Sequence, residues 1–443
     1  MGSRTGALPV RSWLLWLALL SGSSAARAGQ APSAPDVPFA RIIYSSDIEG
    51  YLEPCGCGGV NEGGIARRAT LVERLRAEVP SVVISGGNFG GVAEAVSSML
   101  SALSRMRYDY VIPNSADLGI LPTALDEAAR LGLPAVPRSR PGAQVEPHQI
   151  QLGGLRIQLL AVGPIGPDEP TLCSGFAAEA CDLLLVVAEP MPAAARDRLA
   201  RALGDQGFTS VLLASASPRA AQWLQARGHC LVPELPDRGR ALVLIDCWPA
   251  SDAAGFRISV RREPVSAALA PDAEVQRIAT EYYDARRRAS ARGDRTAAVS
   301  PGGPSPTPSK PWLDPRVAYA PAEACGSCHP RSYERWRGSR HARALQTLAA
   351  GDRVLPECLR CHSTPYALTG ELPPPPYGAG DGVECAACHG DGVVHALTRR
   401  PRFVTRCAPA ERCMECHTPQ DSPAFGGSYF DRLSCSAGKD GEG

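Results

Sequence analysis

The chain has 443 residues, 44% hydrophobic and 21% charged, long enough for two or three domains with a sizeable core. Lysine plus arginine number 46 against 45 aspartate plus glutamate, a formal net charge of +1. So even a balance gives no charge argument for binding nucleic acid or an acidic membrane.

At the N-terminus Arg4 and Arg11 precede an apolar run over 13–20, small residues and Ala26-Arg27-Ala28. A positive n-region, a short h-region and an A-x-A site predict a cleaved secretory signal peptide over 1–28. The run falls well short of the ~20 residues that span a bilayer. Export to the bacterial periplasm is the expectation, and residues 29–39, rich in Ala and Pro, read as a mobile leader. From 40 to about 265, short apolar runs at 40–44, 81–84, 155–162, 183–187, 210–213 and 241–245 predict buried strands. Helical stretches at 64–78 and 192–203 lie between them, so this region is expected to be an α/β domain. It holds Cys55, Cys57, Cys173, Cys181, Cys230 and Cys247. An even number in an exported domain favours structural disulfides, with Cys173 and Cys181 a local pair. Cys55 and Cys57 are too close to bridge each other easily, which leaves metal binding, thiol chemistry or other partners. Residues 266–292 predict an amphipathic helix with a basic end, and 293–318, rich in Pro, Ser and Gly, an extended linker.

The remainder, 319–436, carries four copies of Cys-x-x-Cys-His: Cys325-Gly-Ser-Cys328-His329, Cys358-Leu-Arg-Cys361-His362, Cys385-Ala-Ala-Cys388-His389 and Cys413-Met-Glu-Cys416-His417. Two thiols three positions apart can add to the two vinyl groups of one porphyrin, and the following histidine then binds the iron. With 16 Cys and 8 His in the chain, chance predicts roughly 0.01 copies. One copy is compatible with half a zinc site or a redox CxxC; four, each ending in His, predict four covalently bound haem c. The region has few apolar clusters of its own, and porphyrins would supply the missing apolar area.

Axial ligands can be counted. His329, His362, His389 and His417 are the proximal set, leaving His341 and His395 for distal faces. His395 follows His389 too closely to wrap the same haem, so a neighbouring iron is its expected target. The two irons without a partner are open to five-coordination, to His148 or His229 of the first domain, or to Cys435. Met414 lies inside a motif, badly placed for a distal face.

The run from Cys325, CGSCHPRSYERWRGSRHARA, and the segment GVECAACHGDGVVH ending at His395 resemble multihaem cytochromes of the c-554 type. The resemblance implies that His341 and His395 are distal ligands and that the protein moves electrons in the periplasm. No histidine follows Phe430, a departure that removes one distal ligand. The first domain resembles another family. IIYSSDIEGYLEPCGCGGVNEGGIARRATLVERL, from Ile42, is similar to the opening of calcineurin-like metallophosphoesterases of the 5′-nucleotidase kind. That resemblance implies an α/β sandwich with a dinuclear metal site that activates water. Asp47 stands at the first carboxylate, but Glu49 replaces a histidine, Gly87-Asn88 stands for Gly-Asp, and Asn114 keeps its place without the next histidine. The later Gly-His-x-His, due near 215–217, is missing. Asp47, Glu49, Asn88 and Asn114 remain as an oxygen-rich set for Ca²⁺ or Mg²⁺.

The expected function is electron transfer by an exported tetrahaem cytochrome. The degenerate phosphoesterase-like domain would dock redox protein partners or a membrane-bound complex. Two alternatives stay open: a haem oxidoreductase acting on a small nitrogen or oxygen substrate at a five-coordinate iron, and a phosphoester hydrolase with a redox-sensing cytochrome.

Overall fold

The computed structural model describes residues 37–54, 61–139, 147–164, 181–207, 209–217, 222–236, 238–249, 256–291, 319–349, 352, 355–370, 376–418, 422 and 425. The expected signal peptide over 1–28, Cys55, Cys57, Cys173, the expected linker over 293–318 and Cys435 lie outside them. Along the chain come β1 (Ala40–Ser45), α1 (Ile65–Glu78), β2 (Ser81–Ser85), α2 (Ala93–Arg105), β3 (Tyr110–Val111), α3 (Ser115–Ile120) and α4 (Ala124–Arg130). They are followed by β4 (His148–Leu152), β5 (Leu155–Val162), β6 (Leu183–Ala188), β7 (Met191–Pro192), α5 (Ala193–Gly204) and β8 (Ser210–Leu213). Next are β9 (Ala216–Ser217), β10 (Leu224–Arg227), β11 (Cys230–Pro233), β12 (Ala241–Pro249), β13 (Phe256–Pro264) and α6 (Ala273–Ala291).

These strands build two mixed sheets, ordered β13-β12-β1-β2-β3 and β10-β11-β8-β6-β5-β4, with a short β7-β9 pair beside them. In the first, β1, β2 and β3 run parallel while β12 and β13 are antiparallel. In the second, β5, β6, β8 and β11 are parallel and the edge strands β4 and β10 antiparallel. Alternation along each strand sends side chains to opposite faces. Ile42, Tyr44, Val82 and Ile84 therefore meet Leu159, Leu185, Val187 and Leu213 between the sheets. Ile43, Val83, Leu242 and Leu244 point outward into a core roofed by α1, α2 and α6. On the far side Leu184, Val186 and Leu212 pack on Leu199 and Leu203 of α5. The result is the α/β sandwich expected from the alternating pattern, with α6 docked onto it; the helix begins at Ala273, seven residues after the expected start. Cys181 and Cys247 overturn the expectation of disulfides: both are buried thiols, one in the outer core of the second sheet and one between the sheets. There they act as small apolar fillers.

The C-terminal segment is a chain of short helices: α7 (Ala322–Gly326), α8 (Pro330–Arg337), α9 (Pro356–His362), α10 (Thr364–Thr369), α11 (Cys385–His389), α12 (Val393–Thr398) and α13 (Ala410–Met414). Its own buried apolar cluster is Leu345, Leu359 and Tyr366, with Leu348 and Tyr377 against it. It is not separate from the sandwich, because Leu355 and Cys358 pack into the outer core under α1, α2 and α6. No described helix is long and apolar enough to cross a membrane.

Candidate functional site

Loops leaving the carboxyl ends of β1, β2, β3 and β8 meet at a polar pocket lined by Ser46, Asp47, Asn88, Asn114 and Ser215. Strand ends of this kind are where parallel α/β sheets place their sites. Asp47 (φ 53°) and Asn88 (φ 61°) sit in the left-handed region, which non-glycine residues seldom adopt. Gly87, at φ 85°, has no room for a side chain, since a Cβ there would stand 2.7 Å from the Asn114 nitrogen. Asp47 Oδ1 accepts from Asn88 Nδ2 at 2.8 Å; Oδ2 accepts from Ser46 Oγ at 2.8 Å and also from Ser215 Oγ. Burial raises the carboxyl's pKa, and the bonds from Asn88 and Ser215 draw it back down. Asn114 caps α3, its Oδ1 accepting from the Asp117 nitrogen at 2.8 Å. The Asp117 carboxylate in turn gathers the Asn88, Phe89 and Asn114 backbone N–H groups, and burial lifts it to about 6.

Of the oxygen-rich set expected for Ca²⁺ or Mg²⁺, Asp47, Asn88 and Asn114 line this pocket and Glu49 does not. The Asp47 carboxylate accepts from Asn88, Ser46 and Ser215, and Asn114 spends its oxygen on a helix cap. Glu49 is directed to the C-terminal segment. Among the described residues no three His, Cys, Asp or Glu side chains converge on a metal position.

Glu49 pairs with Arg360, the residue before Cys361 in the second motif, and stands 3.8 Å from Arg238. The Tyr51 ring lies between the same two guanidiniums, at 5.1 Å from Arg238 and 5.5 Å from Arg360. Its hydroxyl donates to the Glu357 carbonyl at 2.7 Å. Burial works against the Arg360 charge, but Glu49 and Tyr51 outweigh it and hold the guanidinium's pKa well above its ordinary value. The Glu357 side chain is 3% exposed. Burial pushes its carboxyl up to about 7, and the neighbouring Tyr283 hydroxyl and the Arg360 charge draw it only partly back.

The four motifs ride on short helices. Cys325, Cys328 and His329 run from α7 to the start of α8; Cys358, Cys361 and His362 lie on α9; Cys385, Cys388 and His389 form α11; Cys413, Cys416 and His417 follow from α13. One helical turn between cysteines sets both thiols on one face. The histidines are prepared as ligands. Nδ1 of His362 meets the Ala344 carbonyl at 2.8 Å, His389 the Thr405 carbonyl at 2.6 Å, His395 the Arg400 carbonyl at 3.1 Å, and His417 the Ser422 hydroxyl at 2.9 Å. A carbonyl can only accept, so in His362, His389 and His395 the proton sits on Nδ1 and leaves Nε2 to bind a metal. Burial lowers the pKa of His341 and His417, favouring neutral rings.

The rings also come in pairs. The His329 and His395 rings lie nearly parallel, at 14°, with centroids 6.1 Å apart; His341 and His417 stand 5.9 Å apart at 52°. An iron between two imidazoles, with about 2 Å per bond and about 1 Å from nitrogen to ring centre, sets the centroids about 6 Å apart. Between motifs, Cys325 hydrogen-bonds with Cys385 and Cys361 with Cys416; these bonds lower Cys325 to about 7 and Cys361 to about 6. The first attachment site thus lies against the third, and the second against the fourth. Thiols, open Nε2 atoms and imidazole spacing all fit haem.

Residues 324–390 match the family model described as cytochrome c554 and c-prime. This part of the chain is a c-type cytochrome. No curated protein matches the sequence. Among solved structures the chain is similar to the sulfate thiohydrolase SoxB of Thermus thermophilus, at 12% identity and TM-score 0.44 over 57% of this chain and 62% of that one. It is similar to a 5′-nucleotidase precursor of the same organism, at 16% identity and TM-score 0.43 over 56% and 58%. The calcineurin-like phosphoesterase YfkN of Bacillus subtilis gives 12% and 0.39 over 56% of this chain and 97% of that one. The chain spans about six-tenths of the length of the first two.

In the cytochrome segment the sequence names the ligands without pairing them; the structure sets His395 opposite His329 and His341 opposite His417. His362 and His389 meet no second imidazole among the described residues. His148 packs against Tyr110 at 4.8 Å on edge strand β4, and His229 is exposed in the turn between β10 and β11. Ser215 stands where a phosphoesterase histidine was due, so its position was legible and its bond to Asp47 was not. The Glu49–Arg360 pair joins residues 311 apart, and no local signal marks it.

Proposed function

We propose that the protein is an exported tetrahaem c-type cytochrome that carries electrons in the periplasm. His329, His362, His389 and His417 are the proximal ligands, His395 the distal ligand of the first haem and His341 that of the fourth. The observation that carries this reading is the pair of imidazole couples at 6.1 and 5.9 Å. Bound haem c supplies a one-electron couple; the chain supplies the thioether anchors, the axial imidazoles and the carbonyls that fix their tautomers. The sandwich has given up hydrolysis, since the Asp47 carboxylate is taken by three side-chain donors. It serves as a platform that grips the second motif and docks a redox partner or a membrane-bound complex.

The test is a pyridine haemochrome assay with mass spectrometry on protein matured in a host that attaches haem c, joined to electron paramagnetic resonance. Four haems and two bis-histidine low-spin signals are expected, with His395→Ala and His341→Ala each removing one signal. A lower haem count, or variants that leave both signals intact, contradicts it. One observation favours a second reading. Six of the chain's eight histidines are used as four proximal and two distal ligands, leaving the second and third irons without a second imidazole from this segment. An open position there makes this a haem oxidoreductase acting on a small nitrogen or oxygen compound, revealed by a ferrous high-spin spectrum that shifts with CO or NO.

A further inference from the structure

Leu397 is 79% exposed, the most exposed large hydrophobic side chain among the described residues. It lies on α12 two residues beyond His395, and Arg399, Arg400 and Arg402, all exposed, follow it. No acidic residue occurs anywhere in 392–410. This apolar spot with its basic rim borders the first haem site. The His395 ring, 6.1 Å from His329, takes the Arg400 carbonyl at 3.1 Å on its Nδ1. Clustered guanidiniums attract carboxylates and speed encounter with an acidic surface, and Leu397 beside them adds apolar area that such a partner would cover.

We propose that Leu397, Arg399, Arg400 and Arg402 form the docking face for an acidic electron-donor protein that reduces the cytochrome at its first haem. The proposal rests on the tetrahaem reading. The donor's centre loses one electron and the first haem's iron gains it, ferric to ferrous, with no bond made or broken. A protein suits the face better than a membrane does, because α12 has six residues and one exposed leucine. An interfacial helix needs a continuous apolar face.

The experiment compares stopped-flow reduction of the holoprotein by photoreduced flavin mononucleotide, an anion, and by neutral lumiflavin. At low ionic strength the anion should be faster by about tenfold, a ratio that falls towards one in high salt. It should also fall towards one in the triple variant Arg399→Glu, Arg400→Glu, Arg402→Glu, and in the milder Gln triple should that variant fold poorly. Leu397→Ser should slow reduction by an acidic plant-type ferredoxin severalfold. A ratio near one in the wild type overturns the proposal. So does loss of the His329–His395 low-spin signal in both triple variants, which would make these arginines holders of haem propionates. Arginine-dependent sedimentation with phosphatidylglycerol vesicles overturns it in favour of a membrane. A missing Soret band, seen before any flavin is added, overturns the haem reading and this proposal with it; a full band with a ratio of one overturns this proposal alone.

Discussion

In the sandwich a strand such as Leu183–Ala188 buries every residue, and the cores between and outside the sheets are filled by side chains alone. In the cytochrome segment the apolar cluster amounts to Leu345, Leu359 and Tyr366 with two partly buried neighbours. The two regions therefore differ in what a lost cofactor does to them. The sandwich keeps its shape through its own side chains, with Ser46, Asn88 and Ser215 satisfying the buried Asp47 carboxylate. The cytochrome segment has no comparable substitute for porphyrin area.

The strongest way to break that contrast is to make the protein in a host that cannot attach haem. Hydrogen exchange should then find the sandwich protected and residues 319–418 near the unstructured limit; equal protection in both would end the argument. Glu357, where the regions meet, gives the next largest effect. Its carboxyl is at about 7 in the folded protein against an ordinary 4.5, so the folded state holds the extra proton. Its stability contribution is complete below about 4.5, is lost as pH rises to about 7, and stays lost above, on the order of 3 kcal/mol in all. Glu357→Gln should melt above the wild type at pH 8 and level with it at pH 4; identical melting profiles at both would remove the effect. Glu49→Ala, which strips Arg360 of its carboxylate, should cost about 1–2 kcal/mol and shift the spectrum of the second haem alone. Ser215→Ala should be mildest, about 1 kcal/mol by chemical denaturation with the haem spectra unchanged. A cost of zero there would mean that the pocket is not held by its hydrogen bonds.

Much of this was legible in the sequence, unevenly. Strands 155–162 and 210–213 were found to the residue, the second as a short buried run and the first because Arg156 and Gln158 alternate with apolar residues before an apolar end. The haem motifs were legible because thioether chemistry fixes its own spacing. Helices α2, α3 and α4 escaped notice; α3 and α4 are only six and seven residues long and owe their stability to packing. Even cysteine numbers pointed to disulfides at Cys181 and Cys247, where the structure uses thiols as core filler. Least legible were contacts made across the fold: Ser215 on Asp47, Arg360 on Glu49, and the choice of which imidazole faces which.

The seating of Cys358 sets an order of maturation. Its thiol is pressed with Leu355 against the sandwich's outer core, and burial drives it up to about 12, far from a reactive thiolate. A ligation enzyme working on the docked protein would find that thiol shielded and protonated. Attachment at the second motif would therefore be expected to precede the docking of α9, which couples cofactor loading to the seating of this segment on the sandwich.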